Sequence, residues 1–254
     1  MAIEDVDVRR FVTWKIFPVA LVVGTIWYYR QKGVTFKSLN RKLTAFAIVK
    51  VMARINKSKD IVATKKRLFS NLEEQKTNRS QTLQILEIGV GGGANFTFYP
   101  PGSQVVCLDP NPNFKSYIQQ SIEESNVEMK RFIQGFAEKL ETVEDDSVDS
   151  VVSSMVLCSV RDLDKTMSEV RRVLKPDGTF YFIEHVAAKR GTCLNRVQRW
   201  LNPIWYCLSG DCQINKETGK AIDRAGFSQT SLNYLKLNTY VFMIRPILWG
   251  TATK

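Results

Sequence analysis

Between residues 83 and 227 the chain alternates short apolar runs with amphipathic stretches. "LQILEI" (83–88), "QVVCLD" (104–109), "EMKRFIQ" (128–134), "SVDSVVSS" (147–154) and "TFYFIEH" (179–185) have the length and composition of strands. "SYIQQSIEES" (116–125), "LDKTMSEVRRVL" (163–174) and "ETGKAIDRAGF" (217–227) have helical spacing. In the second of these, Leu163, Met167, Val170, Val173 and Leu174 fall on one face. "KPDG" (175–178) reads as a turn, and Gly226 as a left-handed helix cap. "TSLNYLKL" (230–237) and "TYVFMIRP" (239–246) read as a closing pair of strands. Strand and helix in alternation predict an α/β fold, a doubly wound, mostly parallel sheet of seven strands. Such sheets bind ligands at the carboxyl ends of their strands, near the topological switch. Gly89, Asp109, Gly135, Ser154 and His185 all fall at predicted ends.

The first eighty residues follow a different pattern. Residues 11–29, "FVTWKIFPVALVVGTIWYY", are mostly apolar, with 14 uncharged residues at 16–29. As a helix that core spans ~21 Å at ~1.5 Å per residue, short of a ~30 Å hydrocarbon layer. Lys15 can snorkel, Pro18 can kink or start the helix, and Trp14, Trp27, Tyr28 and Tyr29 stand where interfacial aromatics belong. The pattern predicts a membrane anchor, spanning or lying in one leaflet, within residues 1–39. A cleaved signal peptide and a buried helix are the competing readings. No small-x-small cleavage site follows, which disfavours the first. Residues 40–80 carry apolar positions at helical spacing with basic residues between them. They predict an amphipathic helix pair that packs on the main domain or faces a membrane. The domain of residues 81–254 follows.

Charge sharpens this division. The formal net charge is +11, yet residues 1–80 hold 17 Lys+Arg against 6 Asp+Glu, and residues 81–254 hold 19 against 19. A basic segment beside an apolar one suits an anionic membrane surface, and a neutral main domain argues against nucleic acid. Basic residues are denser after the apolar segment than before it, which places the main domain in the cytosol. The five cysteines, Cys107, Cys158, Cys193, Cys207 and Cys212, form no CxxC pair, and His185 is the single histidine. Reduced thiols and no metal are the expectation.

The chemistry gathers at "LEIGVGGGANF" (86–96) and "CLDPNPNF" (107–114). Gly89, Gly91 and Gly93 satisfy a glycine-rich strand-to-helix turn, a motif that overlaps the dinucleotide fingerprint. Charge discriminates. Glu87 stands two residues before Gly89, where a carboxylate opposes a pyrophosphate and suits a cationic ligand part, an α-amino group or a sulfonium. Asp109, at the second strand's end, suits a pair of ribose hydroxyls. No GK[ST] follows, so phosphoryl transfer has no support.

These segments, with "SVDSVVSSMVLCSV" and "VRRVLKPDGTFYFIEH", resemble the class I S-adenosylmethionine-dependent methyltransferase superfamily. "KKRLFSNL" (65–72), "YPPG" (99–102), "DPNPNF", "VLCSV" and "FYFIEHVAA" are similar, more narrowly, to the membrane-anchored thiol S-methyltransferases of the methyltransferase-like proteins. That family usually shows G-C-G-T-G where this chain has Gly-Val-Gly-Gly-Gly. The resemblance implies a Rossmann-like fold, S-adenosylmethionine as cofactor, and residence on the endoplasmic reticulum membrane or lipid droplets. It implies that Glu87 meets the cofactor's amino end through the loop and that Gly89, Gly91 and Gly93 let the backbone approach. Asp109 holds the ribose, with Pro110 and Asn111 beside adenine. Phe136 and Ala137 border adenine, and Ser154 borders the methionine part.

Methyl transfer from a sulfonium requires alignment and exclusion of water more than acid–base power. A thiol, with a free pKa of ~8.5, needs less help to ionise than an alcohol. His185 is the candidate base, Asp211 a second candidate, and a structural role for His185 is the alternative. Residues 188–215 break the rhythm with an apolar, aromatic insertion in which Trp200, Trp205 and Tyr206 are candidate substrate contacts. A lipophilic small acceptor, most simply an alkyl thiol, is the expected partner, with no obligate protein partner. The alternatives are an O- or C-methyltransferase of a quinone, sterol or other lipid, and a non-catalytic membrane or lipid-droplet protein that keeps the fold.

Overall fold

A computed structural model describes residues 41–79, 82–209 and 211–254. The predicted anchor at 1–39 lies outside the described residues. The chain divides into two compact units, Met1–Thr44 and Ala45–Lys254, and the second carries the fold. It contains most of helix α1 (Arg41–Asn56) and all of α2 (Lys59–Arg79). Then come β1 (Gln84–Ile88), β2 (Gln104–Leu108), α3 (Lys115–Glu123), β3 (Glu128–Ile133), β4 (Val148–Ser154), α4 (Leu163–Val173) and β5 (Leu174–His185). Helices α5 (Cys193–Ser209) and α6 (Thr218–Arg224) and strands β6 (Gln229–Lys236) and β7 (Pro246–Thr253) complete it. No described helix is long and apolar enough to cross a membrane.

The seven strands run in the order β3-β2-β1-β4-β5-β7-β6. Pairings from β3 to β5 are parallel, and β7 is antiparallel to both β5 and β6. The order reverses between β1 and β4, so the switch point opens where Gly89 and Ser154 leave the sheet. Strand alternation sorts side chains into two cores. Leu86, Ile88, Val106, Leu108, Val151, Phe180 and Phe182 meet α4 and α6 on one face. Ile85, Val105, Cys107, Val152, Tyr181 and Ile183 meet α2 and α3 on the other. Glu87 is in phase with Ile85, so it points to the α2 face. That helix turns Ile61, Lys65, Leu68, Phe69 and Leu72 inward, all buried. Four apolar residues seat it on the sheet, and one lysine goes under with them.

The predicted closing strands need correction. "TSLNYLKL" matches β6, but "TYVFMIRP" is a loop with a short 3-10 turn at Phe242–Ile244, and Tyr240 is fully exposed. The last strand is "PILWGTAT". The 240–244 apolar run looks like a strand, and Gly250 looks like a breaker. In the sheet Gly250 is required, because a Cβ there would stand 1.7 Å from the Ser231 carbonyl oxygen on β6. "KPDG" is an excursion within β5: the register with β4 jumps from Leu174 to Thr179, and Asp177 takes a left-handed φ of 60°. Gly226 ends α6 at φ 74°, as its cap role predicts.

Candidate active site

At the end of β1 the chain turns through Gly89, Gly91 and Gly93, with φ of 63°, 52° and 78°. The left-handed region is costly for any residue with a Cβ. Two of the three glycines are also sterically locked. A Cβ on Gly89 would lie 2.4 Å from Val156 Cγ2, and one on Gly93 would lie 2.8 Å from the Phe96 ring. At Gly91 the space is open, its nearest atom being the Gly89 carbonyl oxygen at 4.0 Å. Asp109, buried at the end of β2, ties the loop down. Its Oδ2 accepts from the Gly91 amide at 3.1 Å and its Oδ1 from the Asn111 amide at 2.8 Å. Asn111 in turn accepts from the Asn113 amide at 3.1 Å, which caps the 3-10 turn Pro112–Phe114.

Glu87 lies beneath the loop with both oxygens engaged. Oε1 accepts from Asn95 Nδ2 at 2.8 Å, and Oε2 from the Tyr99 hydroxyl at 2.6 Å. Burial pushes its carboxyl up to about 7, against these two hydrogen bonds and the attraction of Lys65. Lys65 descends from α2 at 1% exposure and donates to Asn56 Oδ1 at 2.7 Å. Burial pulls its ammonium down to about 8, against the attraction of Glu87. A buried lysine held by one neutral amide and the face of the Phe98 ring, 5.8 Å away, is an expensive arrangement unless an anion completes it. Asn95 Oδ1, equally buried, accepts from no donor. An orphan acceptor and a buried cation therefore both adjoin Glu87, Asn95 through a hydrogen bond and Lys65 through charge.

A second group occupies the ends of β4 and β5. Glu184, fully buried, accepts from Ser153 Oγ at 2.6 Å and from the Val156 and Leu157 amides at 2.8 and 3.1 Å. It fixes the loop that leaves β4 through Met155, whose φ is 58°. Burial pushes the Glu184 carboxyl up to about 6. His185 follows at the strand's last position. Its Nε2 lies 3.1 Å from Cys212 Sγ, and the Trp205 indole N–H donates to the same sulfur at 3.3 Å. Helix α5, which carries Trp205, is pinned by Gln198. That side chain accepts from the Ala188 amide at 2.7 Å and donates to the Val186 and Met243 carbonyls at 3.2 and 2.8 Å.

Comparisons with known proteins identify the family. Residues 86–182 match the model of a family described as "Methyltransferase domain". Human thiol S-methyltransferase TMT1A is 44% identical over 195 residues, covering 76% of this chain and 80% of that protein. The chain belongs to the TMT1 thiol S-methyltransferase family. Rat thiol S-methyltransferase TMT1B is 39% identical over 197 residues, 77% of this chain and 80% of its own. Among solved structures, the CurJ carbon methyltransferase superposes with a TM-score of 0.58 at 16% identity, covering 93% of this chain and 70% of that one. That likeness is one of fold. The chain is thus an S-adenosylmethionine-dependent methyltransferase with the Rossmann-like fold of its class.

The residues of this TMT1-family chain fit that cofactor. The open face of Gly91 leaves room for a ligand against the backbone. Asn95 Oδ1 is a free buried acceptor for an ammonium, and Lys65 is a buried cation for a carboxylate.

The structure gathers Glu87, Gly89, Gly91, Gly93, Asp109, Pro110 and Asn111 around one loop. Ser154 stands across the switch point on β4, half-buried. Phe136 is 53% exposed, with the Arg161 guanidinium 5.6 Å from its ring centroid, whereas Ala137 is buried in the α4-side core. Asp211 pairs with the Tyr206 hydroxyl at the end of α5. Trp205 faces the sulfur of Cys212, while Trp200 is 76% exposed and points away from the core. Sequence reasoning missed Lys65, Asn95, Tyr99 and Cys212 as site residues. Lys65 had a signal available, since it interrupts an apolar stripe at helical spacing. The others meet only through tertiary structure.

Proposed function

We propose that this chain methylates the sulfur of small lipophilic thiols, with S-adenosylmethionine lying along the carboxyl ends of β1, β2 and β4. The observation that carries the reading is the pairing of two unlike ends at the switch point. A carboxylate-anchored glycine loop adjoins Asn95 and Lys65, and a thiol–imidazole group stands at the ends of β4 and β5.

In this reading Asp109 meets the ribose hydroxyls while holding Gly91 in place. Pro110, Asn111, Phe136 and Ala137 border the adenine side. Asn95 Oδ1 accepts from the cofactor's α-ammonium, and Lys65 donates to its α-carboxylate. Glu87 is a positioning residue that acts through Asn95 and Tyr99. Ser154 borders the methionine chain. The cofactor, when bound, supplies a methyl group already activated on a sulfonium. The protein's remaining task is to align the acceptor and keep water out. His185 takes the acceptor's proton, and Trp205 with the aromatic face of α5 confines an apolar substituent. Asp211 acts at one remove, by fixing Tyr206.

The N-terminal third supports the same substrate class. Residues 1–39 form a membrane anchor, 40–80 a basic helical segment and 81–254 the catalytic domain, with aromatic insertion 188–215. The catalytic domain faces the cytosol at the endoplasmic reticulum membrane or lipid droplets, where apolar thiols partition. The test compares an alkyl thiol with the alcohol of the same carbon skeleton. The thiol is expected to be turned over at least about 100-fold faster, given the gap in acidity between the two groups. Equal rates, or preference for the alcohol, would move the activity to O-methylation.

A further inference from the structure

The sulfur atoms of Cys158 and Cys212 and a ring nitrogen of His185 all lie within 4.8 Å of one another. Three separate segments bring them there. Cys158 rides on the loop that Glu184 fixes through the Val156 and Leu157 amides. His185 ends β5. Cys212 follows α5, and its neighbour Gln213 donates its amide to the Cys158 carbonyl at 3.0 Å. Each segment is locked by hydrogen bonds to the next, so the grouping is built rather than incidental. Cys158 and His185 are buried and Cys212 is half-buried.

We infer that Cys158, His185 and Cys212 form a three-ligand site for a borderline-soft divalent cation of the zinc class, with one tetrahedral position left for the acceptor's sulfur. The donor set is chemically selective. Two thiolates and an imidazole suit zinc and exclude the hard, oxygen-seeking cations. A tetrahedral zinc site, with bonds of about 2.3 Å to sulfur and about 2.0 Å to nitrogen, puts its donors roughly 3.4–3.8 Å apart. The donors here bracket that range: His185 Nε2 and Cys212 Sγ are 3.1 Å apart and must separate slightly, and no pair exceeds 4.8 Å. Charge balances as well: loading releases two thiol protons to solvent and leaves a neutral complex, the form a buried site tolerates. The Trp205 N–H points at Cys212. The half-buried Lys216 ammonium donates to the Val160 carbonyl. Of the two carboxylates adjacent in sequence to these residues, Glu184 is turned to Ser153 and the loop amides and Asp211 to the Tyr206 hydroxyl, which leaves the donor set to nitrogen and sulfur.

The inference deepens the thiol reading and rests on it for the acceptor. Structural zinc sites use four protein ligands, whereas catalytic ones keep a position open. Three ligands, from the loop after β4, the end of β5 and the segment after α5, match the second kind. A thiol entering the open position loses its proton to solvent and remains bound as thiolate. In the loaded protein His185 is therefore a ligand, and activation of the acceptor passes from the imidazole to the cation.

The test uses the full chain, purified in reductant without chelator and supplied with Zn²⁺, then with Co²⁺. Elemental analysis is expected to give about one zinc per chain, and below a tenth of that in Cys158→Ser and Cys212→Ser. Cobalt should give the thiolate-to-metal band and the visible bands of tetrahedral coordination, and addition of an alkyl thiol, but not the matching alcohol, should shift them. Circular dichroism checks that the variants fold, and the wild-type cobalt spectrum decides the matter if they do not. A folded, reduced wild-type protein that takes up neither metal overturns the inference. If such a protein still methylates thiols, the functional reading survives with His185 as base. A loaded site whose spectrum ignores thiols, in an enzyme that prefers alcohols, overturns the functional reading and the assignment of the open position together.

Discussion

Replacing Lys65 by methionine is expected to weaken S-adenosylmethionine binding by roughly 10- to 150-fold, the ~1.5–3 kcal/mol of a charge-assisted hydrogen bond. The decarboxylated analogue of the cofactor should bind wild type and variant alike. Calorimetric titration of both ligands into both proteins separates a carboxylate contact from a general loss of the site. Stability is expected to move the other way. The folded chain holds the Lys65 ammonium near 8 where the free side chain ionises near 10.5, so the unfolded chain binds the extra proton between these values. This contribution to stability is complete above the higher value and is lost as pH falls through the lower one. At neutral pH the buried ammonium is therefore a net cost in the ligand-free protein, one that methionine removes while keeping the packing of Ile61, Leu68 and Phe69 around it. The ligand-free variant should melt at or above the wild-type temperature. A lysine with only a structural role would lose stability on substitution and treat the two ligands equally.

Gly89→Ala is expected to do the reverse and damage the fold through the site. The new Cβ would meet Val156 Cγ2 at 2.4 Å and Cγ1 at 2.5 Å, at a backbone φ of 63°. Val156 has little freedom to retreat, because its amide is held by Glu184 at 2.8 Å. Left-handed strain of ~1–2 kcal/mol and overpacking of ~1–3 kcal/mol sum to about 3 kcal/mol. For a chain of this size that lowers the melting temperature by roughly 6–12 °C. The double variant Gly89→Ala/Val156→Ala should recover the steric part and retain the strain, a non-additive result for two residues in contact. Additive losses in a thermal denaturation series would mean that the β1 turn and the β4 loop are not pressed together at the switch point.

The parts of this protein that were legible in the sequence are those set by local pattern. Glu87, Gly89 and Asp109 stand at strand ends because apolar runs stop there, and a left-handed turn admits little besides glycine. The five parallel strands and the Gly226 cap follow for the same reason. What escaped depends on partners distant in the chain. The place of β7 is decided by its pairing with β5 and by the close approach of Ser231 to Gly250, neither of which leaves a mark in a hydropathy pattern. The run 240–244 has the better strand composition and becomes a loop. Glu87 reads in the sequence as an acid for the cofactor's amino end, whereas the structure gives its two oxygens to Asn95 and Tyr99, so any influence on a ligand passes through them. The cysteines show no metal spacing, because Cys158, His185 and Cys212 are each 27 residues from the next and meet only when the insertion folds back.

The most direct measurement of the central claim is a calorimetric titration of S-adenosylmethionine into the wild-type protein beside Asp109→Ala. Asp109 fixes Gly91 and is proposed to meet the ribose, so its removal should cost about 100-fold in affinity, the ~2–3 kcal/mol of lost charged hydrogen bonds. One cofactor per wild-type chain, with that loss in the variant, is the predicted result. A folded wild-type protein that binds no cofactor, or one that binds it equally well without Asp109, would contradict the site as built here.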